Sequence, residues 1–219
     1  PVVTAESYGN LPLYFEENNG QTDSQVRYFA RTGGYSVFFT DSRIAFNLVL
    51  DAPAPRRDAG RPDFDLDVPD AIEPSGPTRT YGLYLDFIGA NPSPALSGES
   101  LQDGITSYFH GSPDQWVTAV PHFDKVRYTE LYPGIDAVFY GTARQVQYDF
   151  IVAPGADPSQ IQIQFDPVES TGLTDNGDLR LSLGDRVLTM NAPYTYQTID
   201  GVERTVESRF VVNDGLVTF

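Results

Sequence analysis

The chain has no cysteine, a single methionine, a single tryptophan and two histidines in 219 residues. Without thiols there is no disulfide framework, no cysteine nucleophile and no thiolate zinc centre, and two imidazoles are too few for an all-histidine metal site. Cations are scarce too: 14 Lys and Arg face 30 Asp and Glu, a formal net charge of −16. Nucleic-acid affinity comes largely from cations that neutralise phosphates, so no nucleic-acid partner is expected, and anionic membranes would repel the chain. No apolar run approaches the roughly 20 residues of a membrane span, so none is expected. No Gly-x-Ser-x-Gly elbow and no long internal repeat occur.

What is abundant points to pleated sheet. Hydrophobic residues make up 40 %, with 14 Phe and 13 Tyr, and 19 Gly and 17 Pro supply turns. Aromatic side chains suit strands, and Gly and Pro punctuate them. Apolar and polar residues alternate at period two in Ile44, Phe46, Leu48 and Leu50, and again in Tyr81, Leu83, Leu85 and Phe87. Val146 to Val152, Ile161 to Phe165 and Leu179 to Leu183 repeat the pattern, the signature of half-buried strands. Asn176-Gly177, Gly184-Asp185 and Asp200-Gly201 have the chemistry of tight hairpin turns. The fold expected is all-β: a mainly antiparallel two-sheet sandwich with at most short helical turns.

Residues 51–79 break the alternation with repeated prolines and dense charge. They read as a long Pro/Asp-rich loop, an exposed excursion from a single β-domain spanning 1–219. Residues 98–116 are the least regular remaining stretch, with a short helical turn expected near Asp114. Pro1 in place of Met reads as a trimmed or processed start.

Pro-Gly-x-Asp occurs twice, at Pro133–Asp136 and Pro154–Asp157. Pro at i+1 and Gly at i+2 fit a type II turn in both. Asp157 precedes Pro158 and reads as the cap of a helical turn. Asp136 enters a strand, where an aspartate is disfavoured and needs donors. Arg127 and Arg144 are its expected partners, and Asp136 and Asp149 are expected to be partly buried structural carboxylates.

Candidate ligand-binding groups cluster at Glu16, Glu17, Asn18, Gln21 and Asp23, whose carboxylates and amides could hold a sugar or a cation. The competing reading is a polar turn that satisfies its own backbone. Asp63, Asp65 and Asp67 open like a calcium loop, but Val68 and Pro74 stand where an EF-hand needs Gly and Glu, which leaves them weak metal candidates. His110 lies too near Ser112 and Asp114 in sequence for a triad, and His122 reads as a partly exposed strand residue.

Four stretches, "LPLYFEENNGQTDSQVRYFAR" (11–31), "ITSYFHGSPDQWVTAVPHFDKVRYTELYPGIDAVFYG" (105–141), "VQYDFIVAPGADPSQIQIQF" (146–165) and "APYTYQTIDGV" (192–202), carry a resemblance. They resemble the uncharacterised N-terminal domain of bacterial secreted proteins that precedes SBBP-type β-propeller repeats. Phe15, Asn18, Gly20, Gln21, the Tyr132–Asp136 string and Tyr148-Asp149-Phe150 carry most of it. The resemblance implies an exported, extracellular or cell-surface module followed by a repeat region, with no catalytic residues to carry over.

The function expected is therefore a non-catalytic module of cell-surface assembly or adhesion. Its expected partners are C-terminal β-propeller-type repeats of the same polypeptide and a cell-surface protein or glycan. No cofactor is expected, with Ca2+ left open. The alternatives are a carbohydrate-binding module, calcium-assisted in one version, and a glycan hydrolase using an acidic pair.

Overall fold

Alternating side chains need a partner layer, and in the computed structural model the chain supplies it by folding one sheet over itself. The structure describes residues 13–32, 34–51, 79–142 and 145–219. Among the described residues all regular structure is strand apart from two 3-10 turns, Pro113–Gln115 and Pro158–Gln160.

The N-terminal strands β1 (Phe15–Glu17), β2 (Tyr28–Arg31), β3 (Tyr35–Phe39), β4 (Arg43–Asp51) and β5 (Arg79–Phe87) pair with their sequence neighbours, all antiparallel. Asp51 of β4 is the register partner of Arg79 of β5, so the expected loop at 51–79 joins two adjacent strands. Its residues 52–78 lie outside the described residues, and Asp63, Asp65 and Asp67 with them. Two long strands follow, β6 (Ala95–Tyr108) and β7 (Val117–Tyr132), then β8 (Ile135–Thr142) and β9 (Gln145–Val152). β7 pairs with β6 along one edge, while β1 and β8 share the other.

After the turn capped by Asp157, β10 (Ile163–Asp166) returns to pair with β5. A small sheet of β11 (Ser170–Leu173), β12 (Leu179–Leu183) and β13 (Arg186–Met190) comes next, then the hairpin β14 (Thr195–Ile199) and β15 (Val202–Val206). Finally β16 (Val211–Asn213) and β17 (Leu216–Thr218) complete a 12-stranded sheet. The expected turn residues sit at the tips: Gly184 (φ 65°) joins β12 to β13, and Asp200 and Gly201 (φ 52° and 76°) join β14 to β15.

The two facing layers belong to that one sheet. Strands β3 to β5 and β7 to β9 lie apart in strand order, yet their aromatics meet. Phe39 contacts Phe139 at 5.2 Å between ring centroids, Phe87 contacts Tyr128 at 5.8 Å, and Phe87 contacts Phe150 at 6.4 Å. Phe39, Tyr128 and Phe139 are fully or almost fully buried. Edge-to-face packing of such rings adds about 0.5–1.5 kcal/mol per pair beyond area burial. Tyr128 places its hydroxyl on the carbonyl of Thr40 at 2.8 Å, so its polar end is satisfied inside the core.

Candidate functional site

The loop after β1 is built around Asn18. Its Nδ2 donates to the carbonyls of Asp23 (2.7 Å) and Val26 (2.9 Å), and its Oδ1 accepts from the N–H groups of Gly20 (3.1 Å) and Thr22 (3.3 Å). Gln21 turns back, donating to the carbonyl of Glu17 at 3.0 Å and accepting from the N–H of Asn19. Asp23 accepts from the N–H of Gln25 at 2.8 Å. Asn18, Gln21 and Asp23 are thus committed to the chain itself, and Glu17 is exposed beside them. Glu16 is turned the other way, into the interior at 5 % exposure.

A second network surrounds Asp136. Register slips between β7 and β8, because Tyr128 faces Ala137 while Tyr132 faces Ile135. The extra residues of β7 bulge, with Glu130 in the left-handed region at φ 53°. Asp136 Oδ1 accepts from the N–H of Glu130 at 2.8 Å, and its Oδ2 accepts from Arg127 Nη1 at 3.1 Å. Arg127 also holds Glu99 of β6 through Nε and Nη2. The carboxylate of Glu130 accepts from the N–H of Gly134 at 3.1 Å. Arg144, the other expected partner, lies outside the described residues.

The two Pro-Gly turns meet in space. Gly134 (φ 71°) and Gly155 (φ 86°) occupy the positive-φ position, and the carbonyl of Gly134 accepts from the N–H of Ala153 at 2.9 Å. Asp157 Oδ1 accepts from the N–H of Ser159 at 3.0 Å at the head of the second 3-10 turn. Hydrogen bonding from the Ser159 side chain, and then from this N–H, holds its carboxyl below the usual carboxylate range. Asp149 departs from expectation: it is exposed and accepts from Tyr140 at 3.2 Å. The alternation of β9 explains this, since Tyr148 and Phe150 face the core and carry Asp149 outward.

A further constellation joins β1, β2, β6 and β7. Arg31 donates to the hydroxyl of Tyr108 at 2.9 Å, and that hydroxyl donates to Glu16 Oε2 at 2.8 Å. Burial and the neighbouring Glu16 carboxylate push the Tyr108 phenol up to about 12, so it stays a neutral donor at ordinary pH. His122 is the register partner of Glu16 across β1 and β7. The expectation of a partly exposed strand residue is corrected, because its exposure is 8 %. Tyr14 stacks on the ring at 3.7 Å and 10°, and Thr106 Oγ1 lies 2.7 Å from Nε2. Burial pushes His122 below its ordinary value, while Glu16 pulls the other way.

Matching against family models brings the chain into the group described as "Domain of unknown function (DUF7948)", over residues 15–219. The chain belongs to this family. No curated protein and no solved structure matches it. The family match begins at Phe15, the first residue of β1, and takes in the Asn18 loop, the Asp136 network and the Glu16–His122 pair.

Chemically, the polar side chains of these networks bond to one another and to the backbone. Among the described residues no cluster of three or more His, Asp or Glu side chains could hold a metal ion. A small recess is lined by Gly89, Ala90, Asn91, Glu130 and Pro133, away from Glu16, Tyr108 and His122. Several large aromatic and aliphatic side chains are exposed as well. Phe109 (62 % exposed) and Trp116 (43 %) pack edge to face at 5.1 Å on the tip joining β6 and β7. Sequence reasoning passed over Arg31, Thr106 and Tyr108, which lack a motif because they come from two strands, β2 and β6, far apart in the chain.

Proposed function

We propose that this domain is a non-catalytic extracellular module of cell-surface assembly or adhesion that docks against β-propeller-type repeats of the same polypeptide. The observation that carries the reading is the β14–β15 hairpin. It is a separate two-stranded sheet, and every residue of it except Thr195 is exposed. Tyr196, Ile199, Val202 and Val206 are among its exposed side chains. Two-stranded sheets are marginal in water, and exposed apolar groups on one feature mark an interaction surface. The resemblance of the sequence to domains that precede propeller repeats supplies the partner, and it supports an exported location.

The reading is tested by measuring amide exchange of residues 195–206 with and without the repeat region added in trans. Slower exchange confined to the hairpin is the expected result, and unchanged exchange removes the docking reading. Melting in calcium and then EDTA accompanies it, with no shift expected on this reading.

One observation favours carbohydrate binding as a second reading. Tyr194 and Tyr196 are exposed, their rings 5.9 Å apart and inclined by 36°, with Tyr194 donating to Glu203 at 2.7 Å. Exposed aromatic faces beside an oriented carboxylate can stack on and bond to a sugar. Saturable binding on a glycan array, lost in Tyr196→Ala, would establish this reading in place of the first.

A further inference from the structure

We propose that His122 is an acid-operated latch: its neutral imidazole fastens the outer β6–β7 arm to the sheet, and protonation loosens that arm. The geometry converges on the ring from several sides. Leu101 faces Phe123 and Ile105 faces Pro121, so β6 takes four steps where β7 takes two, and His122 is the β7 residue in the gap. The bulge of β6 therefore runs around the ring. Thr106 meets Nε2 at 2.7 Å, and Gly104 lies over Nδ1, where a Cβ would come within 2.7 Å. Tyr14 closes the face of the ring.

A neutral ring fits this enclosure with one hydrogen bond at Nε2. An imidazolium carries a charge and an N–H at both Nε2 and Nδ1, with Nδ1 beneath Gly104, in a site only 8 % exposed. The charged and titratable surroundings are few. Glu16 faces the ring from β1, with Tyr108 of β6 and Arg31 of β2 engaged behind it. In the bulge itself Asp103 adjoins Gly104, and on β7 Asp124 accepts from Gln102. Glu16 favours the charged ring but already accepts from Tyr108, and burial outweighs it, so His122 stays below its ordinary value.

Beyond the β1 pairing, the outer arm is held by β6–β7 bonds, by the Thr106–His122 contact and by Tyr108. It ends in the exposed Phe109–Trp116 pair. Acidification accordingly alters how that aromatic tip is presented. This holds whether or not the hairpin docks on repeats.

The test uses nuclear magnetic resonance of the folded chain. The chain has two histidines, so His110→Gln leaves the His122 ring signals alone in the spectrum. Those signals are expected to titrate below the ordinary value of about 6.5. Amide exchange of residues 102–121, corrected for its intrinsic pH dependence, is expected to speed up by as much as about tenfold per pH unit below that midpoint. His122→Gln should flatten the dependence to within about twofold. Glu16→Gln keeps an acceptor for Tyr108 and should move the midpoint to lower pH, so the proposal remains testable if His122→Gln fails to fold. A His122 midpoint at or above the ordinary value, an arm whose exchange follows the same curve in the parent and His122→Gln, or an unmoved midpoint in Glu16→Gln overturns it.

Discussion

Asp136 accepts the backbone N–H of Glu130 at 2.8 Å across the β7–β8 turn and thereby holds a left-handed residue in a strand bulge. Its second oxygen takes Arg127. Replacing Asp136 by Ala leaves the Glu130 N–H without its acceptor and Arg127 with Glu99 alone. The cost of such a loss is about 1–3 kcal/mol. In a domain of this size that lowers the melting temperature by about 2–4 °C for each kcal/mol. Differential scanning calorimetry of Asp136→Ala and Asp136→Asn checks it, with the amide variant recovering part of the loss.

Asn18 makes its loop from within, so Asn18→Ala should act locally. Two carbonyls lose their donor and two N–H groups lose their acceptor. Amide exchange across residues 19–26 is expected to accelerate by at least about tenfold, the effect of about 1.4 kcal/mol, while the core strands change far less. Equal acceleration everywhere would show that the loop unfolds only with the whole domain.

Gly134 is required twice over. Its φ is +71°, and a Cβ there would come within 2.9 Å of the Ala156 side chain in the second Pro-Gly turn. Gly134→Ala should destabilise by about 1 kcal/mol or more. Gly155→Ala keeps the backbone penalty without a neighbour, since nothing lies within 4 Å of its Cβ position, and should cost less. Urea denaturation of the two variants side by side measures the difference.

The buried His122 makes stability depend on pH with a definite sign. Its folded value lies below its unfolded value of about 6.5, so near that pH the unfolded chain binds more protons and stability rises with pH. The contribution is complete above the unfolded value and is lost as pH falls through the folded one. Comparing urea unfolding free energies of the parent and His122→Gln between about pH 5 and 8 isolates this contribution from the carboxylates. The gap between the two curves should widen toward high pH.

Where one face of a strand is buried, the fold was legible in the residues. Ile44, Leu83, Leu85, Ile163, Leu179 and Leu181 alternate in sequence and are all buried. The Gly184 and Asp200-Gly201 turns were readable because few residues accept positive φ. β6 was not legible. Its bulges shift side chains between faces and most of it is exposed, so period two dissolves and 98–116 reads as irregular. His122 was misread because Tyr14 and the β6 bulge bury it, and neither is adjacent in sequence.

The sequence by itself determined an acidic, all-β chain with its turns in place and Asp157 as a cap, because these rest on local backbone preference and on period-two burial. Tertiary structure alone decided that one sheet folds over itself, that β10 returns to β5, and that Asn18 serves its loop while Glu16 faces His122. Those outcomes depend on pairings between residues far apart in the chain, whose register follows from how aromatic side chains share a core rather than from any local preference.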